Sequence, residues 1–141
     1  MGFKKTFTTE GTENTELNLR LNEITEKIIG SAIAVHKELG PGLLESAYEA
    51  CLIFELVQGR LKVESQKTLP VCYRGVQLDC GYRIDLLVEK EIVVELKAIE
   101  KIEPIYEAQL LSYLKLSGSK VGLLINFHTK LLKHGIRRFV L

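Results

Sequence analysis

Residues 81–98 read Gly81-Tyr82-Arg83-Ile84-Asp85-Leu86-Leu87-Val88-Glu89-Lys90-Glu91-Ile92-Val93-Val94-Glu95-Leu96-Lys97-Ala98. The even positions, from Tyr82 through Leu86, Val88, Ile92 and Val94 to Ala98, are all of a kind that can enter a core. The odd positions include Arg83, Asp85, Glu95 and Lys97. Alternation at period two on both sides of a charged turn predicts a β-hairpin with one buried face. Residues opposite one another in an antiparallel pair share a face, so the apolar pattern also sets the register. Pairing Val88 with Ile92 across Glu89-Lys90-Glu91 sets Asp85 against Glu95 and Arg83 against Lys97. A shift of one residue would set Ile84 against Glu95 and expose the apolar series.

Two facing carboxylates repel, by roughly 0.2–1 kcal/mol at an exposed site. Two readings compete for this charged face. In one it is solvated, with Arg83 and Lys97 neutralising Asp85 and Glu95. In the other a hard divalent cation turns the repulsion into coordination, since Mg²⁺ is usually held by one or two carboxylates plus water and phosphate. Lys97 lies two residues beyond Glu95 on the same face, within reach of the same water.

The rest of the chain places this hairpin in an α/β domain. A length of 141 residues suits one domain, and 46% hydrophobic and 26% charged residues are ordinary for a globular protein. Residues 1–18 are polar and Thr-rich, which predicts a flexible leader before a domain over 19–141. From Asn22, the stripe Leu21, Ile24, Ile28, Ala32, Val35, Leu39 predicts a helix ended by Gly40-Pro41-Gly42. A second helix is expected from about Leu43 to Val57, with Gly59 as its stop and Glu45 in its first turn. Strands follow within 61–78, with Pro70 at an edge or a strand start and Arg74-Gly75 as a turn. Pro104 is placed to open a helix over Ile105–Leu116 that Gly118 closes, with Gln109 and Tyr113 on one face. The apolar run Val121–Phe127 suits a strand covered on both sides. Strand, helix and strand then form a right-handed parallel β-α-β unit, with a last strand over Ile136–Leu141.

Other features exclude more than they suggest. No apolar run approaches the ~20 residues that span a bilayer, and no secretory signal is seen, so a cytoplasmic protein without a membrane is expected. Cys51, Cys72 and Cys80 lack the spacing of a thiolate zinc site and read as small buried hydrophobes. A net charge of +1 gives no strong field. The one basic concentration, Lys130, Lys133, His134, Arg137 and Arg138, reads either as a phosphate-contacting patch or as charge protecting an edge strand. His36 reads as a helix-end histidine rather than a ligand.

The series Asp85, then Glu95-Leu96-Lys97, then Gln109-x-x-x-Tyr113 resembles the PD-(D/E)XK nuclease superfamily, in the RecB-like form that adds Gln-x-x-x-Tyr. Gly42-Leu43-Leu44-Glu45-Ser46-Ala47-Tyr48 resembles the motif that names the GxxExxY family of that superfamily. The superfamily's proline is replaced: Ile84 precedes Asp85. The resemblance implies a restriction-endonuclease-like core, with N-terminal helices packed on a central mixed β-sheet. It further implies Mg²⁺ or Mn²⁺ on Asp85 and Glu95, with the Leu96 carbonyl and Glu45 as further ligands. Lys97 would orient or deprotonate the attacking water, and Gln109 and Tyr113 would position the site or the nucleic-acid backbone. The implied activity is phosphodiester hydrolysis, expected on DNA in repair or defence, with a homodimer or protein partner left open. A catalytically silent binding module on the same fold, or a hydrolase of small phosphorylated substrates, are the alternatives.

Overall fold

The computed structural model describes residues 9–141. The first helix, α1, spans Thr9–Leu39, and α2 spans Glu45–Gln58. Five strands make one mixed sheet: β1 (Val63–Thr68), β4 (Arg83–Val88), β5 (Ile92–Lys97), β6 (Val121–Asn126) and β7 (Ile136–Val140), in that spatial order. Between β1 and β4 a separate hairpin forms from β2 (Val71–Tyr73) and β3 (Val76–Leu78). Helix α3 (Pro104–Ser117) crosses from β5 to the parallel strand β6.

The β4–β5 register is the expected one, with Val88 facing Ile92 and Leu86 facing Val94. Glu89 and Lys90 take positive φ at the bend, and the Glu91 amide donates to the Val88 carbonyl at 3.0 Å. Pro104 opens α3 at its first turn. Gly118 closes it in the left-handed conformation (φ 76°), which a residue without Cβ adopts freely. Gly59 likewise follows α2, and Pro70 stands immediately before β2.

Both faces of the sheet are covered. On one, Leu86, Val88, Ile92, Val94 and Leu96 pack with Ile28, Ala32, Tyr48 and Leu52 of α1 and α2. On the other, Leu87, Val93 and Leu124 pack with Leu110, Tyr113 and Leu114 of α3. At ~1.5–3 kcal/mol per buried aliphatic or aromatic side chain, these two layers are the main stabilising contribution.

Tyr48 shows how the Gly42–Tyr48 motif serves the fold. Its ring stacks on Phe127 at 4.4 Å between centroids. Its hydroxyl donates to the Gly40 carbonyl (2.6 Å) and accepts from the Leu43 amide (3.1 Å), tying down the connection in which Gly42 takes φ +103°. Tyr48→Phe is expected to lower the unfolding free energy by about 1–2 kcal/mol, because it takes a hydrogen bond from each of two part-buried backbone groups. Urea denaturation would measure it.

Four sequence expectations shift. The helix α1 starts at Thr9 rather than Asn22, and the partly buried Leu17 adds one turn to the stripe before Leu21. The leader expected over 1–18 therefore overlaps α1 from Thr9, and its first eight residues lie outside the described residues. Tyr82 is exposed despite its even position. Cys72 and Cys80 are exposed as well, because β2–β3 stands apart from the main sheet. Finally, the basic series splits. Arg137 pairs with Glu107 of α3, whereas its neighbour Arg138 donates to Asn22 of α1 at 2.8 Å, since successive strand residues point to opposite faces.

Candidate active site

The ladder between β4 and β5 ends one step before the two carboxylates meet. Leu86 pairs with Val94, and beyond that point side chains replace backbone pairing. The Asp85 amide donates to Glu95 Oε1 at 3.1 Å, and the Leu96 amide donates to Asp85 Oδ2 at 2.9 Å. Each carboxylate thus accepts from the other strand. Arg83 and Lys97 lie beyond this opening. Arg83 pairs with Thr68 of β1 instead.

The opening extends to the neighbouring strand. The pairs Ser65–Leu86 and Lys67–Ile84 bracket Gln66, which stands across from Asp85 with φ +50°. Its amide donates to Asp85 Oδ1 (3.3 Å) and to Glu49 Oε1 of α2 (2.8 Å). Asp85 therefore has Glu95 on one side and, through Gln66, Glu49 on the other. Glu45 is exposed in the first turn of α2, one turn from Glu49 on the same helical face. Glu49 and Gln66 were missed in the sequence. A spacing of four from Glu45 was the only available signal for Glu49, and Gln66 carried none.

Glu95 is 6% exposed. Burial, and then the negative charge of Asp85, push its carboxyl up to about 8; Lys97 pulls weakly the other way. Near neutrality the metal-free pair therefore holds a proton on Glu95 and a single net negative charge. The Lys97 ammonium rests over the Tyr106 ring of α3, 4.6 Å from its centre. Among the described residues, no ion pair within 4 Å joins it to either carboxylate. The expected Gln109–Tyr113 pair is formed: Gln109 Nε2 donates to the Tyr113 hydroxyl at 2.9 Å. Burial and the adjacent Glu95 raise the Tyr113 phenol above its ordinary value, and Tyr113 packs in one cluster with Ile84 and Val93, which flank the carboxylate positions on β4 and β5. Tyr82 meets Tyr113 edge-on at 6.0 Å.

His36 lies elsewhere, donating through Nε2 to the Thr129 carbonyl at 2.8 Å. Among the described residues no set of three or more His, Cys, Asp or Glu side chains converges as a preformed metal cage. The site is a carboxylate pair with a lysine, an amide and a phenol around it.

Residues 22–139 match the profile of the PD-(D/E)XK nuclease superfamily. The chain belongs to this superfamily. The match runs from the middle of α1 into β7 and includes the whole carboxylate site. No curated protein and no solved structure matches the chain. Helices preceding a five-stranded mixed sheet are the restriction-endonuclease-like architecture of a PD-(D/E)XK nuclease. No described helix is long and apolar enough to cross a membrane.

Proposed function

We propose that this PD-(D/E)XK protein is a divalent-metal-dependent nuclease that hydrolyses phosphodiester bonds, with DNA as its substrate, and that it belongs to the GxxExxY, RecB-like branch. The observation that carries the reading is the interlocked pair, Asp85 and buried Glu95, at a break in the sheet. A stable fold has little reason to bury a second carboxylate against a first, because each desolvated charge costs several kcal/mol unless it is paired. Two oxygen-bearing acids whose joint charge is suppressed by a proton are a donor set that fits a hard divalent cation.

Asp85 and Glu95 would hold Mg²⁺ or Mn²⁺, with the Leu96 carbonyl as a further ligand. The bound ion supplies neutralisation of phosphate charge and activation of water. Everything else falls to the protein. Lys97, on a flexible stem above Tyr106, would orient the attacking water and stabilise the hydroxide as its proton passes to solvent. Glu49, reached through Gln66, supplies the helix acid that the motif reading assigned to Glu45. Glu45, exposed one turn away on the same helical face, would be a further candidate contact. Gln109 fixes the Tyr113 hydroxyl, so that the α3 face presents an oriented donor to the phosphate backbone.

The test is cleavage of single- and double-stranded DNA and RNA with Mg²⁺, Mn²⁺ or EDTA. Cleavage is expected only with the cation, and Lys97→Ala is expected to reduce it by about 10²–10⁴-fold. Activity in EDTA, or an unchanged rate in the variant, would place the chemistry elsewhere. The resting place of Lys97 on Tyr106 favours one competing reading, a silent binding module. That reading is supported instead if the protein binds Mn²⁺ and cleaves no polymer.

A further inference from the structure

The parallel strands β5 and β6 end together at Lys97 and Asn126. The Phe127 amide donates to the Lys97 carbonyl at 2.9 Å, so the segment after β6 leaves from beside the carboxylate site. It then passes His36, which holds the Thr129 carbonyl, and folds into a short 3-10 turn, Leu132–Gly135. Between this segment and the last turns of α1 lies a cavity of about 400 Å³. Ile33 and Leu132 contribute its apolar wall, and Leu131 stands 55% exposed at its mouth. Lys37, Lys130 and Lys133 also line it, while no Asp or Glu does. None of the three lysines takes part in an ion pair among the described residues.

We propose that this cavity binds one unstacked nucleotide of a single-stranded polynucleotide. The base and sugar lie on Ile33, Leu131 and Leu132, and the flanking phosphates lie on Lys37, Lys130 and Lys133. The volume falls in the ≈ 300–1,000 Å³ range of small-ligand pockets, more than a phosphate alone needs. An apolar wall inside a cationic rim matches a nucleotide, apolar at the base and anionic at the phosphate. Bases stacked inside a duplex cannot enter such a cavity. Lys130 follows Phe127 by three residues, so their Cα atoms are within about 11 Å, and the Phe127 amide is bonded to the Lys97 carbonyl at the end of β5. The inference rests on the nuclease reading, which supplies the reason for a polynucleotide at this edge.

The experiment is anisotropy of a fluorescein-labelled single-stranded DNA with the full chain in EDTA, over a range of salt. Lys130→Ala/Lys133→Ala is expected to raise Kd about tenfold or more. It should also lower the slope of log K against log salt by about 1.4, at roughly 0.7 for each phosphate that no longer meets a lysine. Leu131→Ser should weaken binding with the slope unchanged. All three positions are exposed, so the fold is retained. Binding equal to wild type in the double variant overturns the proposal, as does equal affinity for a blunt duplex of the same length. Loss of adhesion to phosphatidylglycerol vesicles in the double variant, with DNA binding intact, overturns it in favour of a membrane surface. Lysine-dependent DNA binding without cleavage of any polymer would sink the nuclease reading and leave the cavity standing. Metal-dependent cleavage with lysine-independent binding would do the reverse.

Discussion

Glu95→Gln is expected to stabilise the metal-free protein at pH 9 and to leave it nearly unchanged at pH 4.5. In the native chain the Glu95 carboxyl titrates at about 8, against 4.5 for an ordinary glutamate. Between those values the folded state keeps a proton that the unfolded state releases. Stability therefore falls as pH rises through that window, and the favourable contribution is complete only below it. Glutamine reproduces the protonated acid: its oxygen still accepts from the Asp85 amide, and its NH₂ donates toward the Asp85 carboxylate. The gain at pH 9 should be on the order of 3 kcal/mol, or roughly 10 °C in Tm for a domain of this size. Thermal melts in EDTA across pH 4.5–9 measure it. A Glu95→Gln protein less stable than wild type at both ends would mean that the buried carboxylate is not under strain.

Asp85→Asn is expected to abolish cleavage, with a loss of at least about 10³-fold, or ~4 kcal/mol of transition-state stabilisation. Asp85 is the hinge of the whole arrangement. One oxygen accepts from the Leu96 amide and the other from Gln66, and its own amide reaches Glu95. Asparagine keeps one oxygen and the side-chain shape but removes the charge, so the fold survives and an acid ligand is lost. Single-turnover assays at saturating polynucleotide separate this from weaker substrate binding. A variant that cleaves within a fewfold of wild type would remove Asp85 from the chemistry.

The hairpin register and the β-α-β unit were legible because each depends on local pattern. Alternation set Val88 against Ile92, Pro104 and Gly118 marked the ends of α3, and the apolar run in β6 announced a strand covered on both sides. The same alternation put Asp85 and Glu95 on one face but was blind to whether the backbones stay paired there. That break depends on carboxylates outcompeting carbonyls for the Asp85 and Leu96 amides, a three-dimensional outcome. Gln66 and Glu49 were illegible for a related reason. They reach Asp85 from β1 and α2, and no short-range spacing links 49, 66 and 85. The division of the basic C-terminal series was readable in principle, since Arg137 and Arg138 are adjacent in a strand and must diverge. It took Glu107 and Asn22 to show where each goes.

The most direct test of the carboxylate pair as a cation site is calorimetric titration of Mn²⁺ at pH 7, repeated in buffers of different ionisation enthalpy. With the Glu95 carboxyl at about 8, most of the metal-free protein carries a proton that a cation must displace. The expected result is one ion per chain with release of close to one proton, and both are lost in Asp85→Asn. Saturable Mn²⁺ binding that persists unchanged in that variant, or no binding to the wild-type chain at all, would contradict the account.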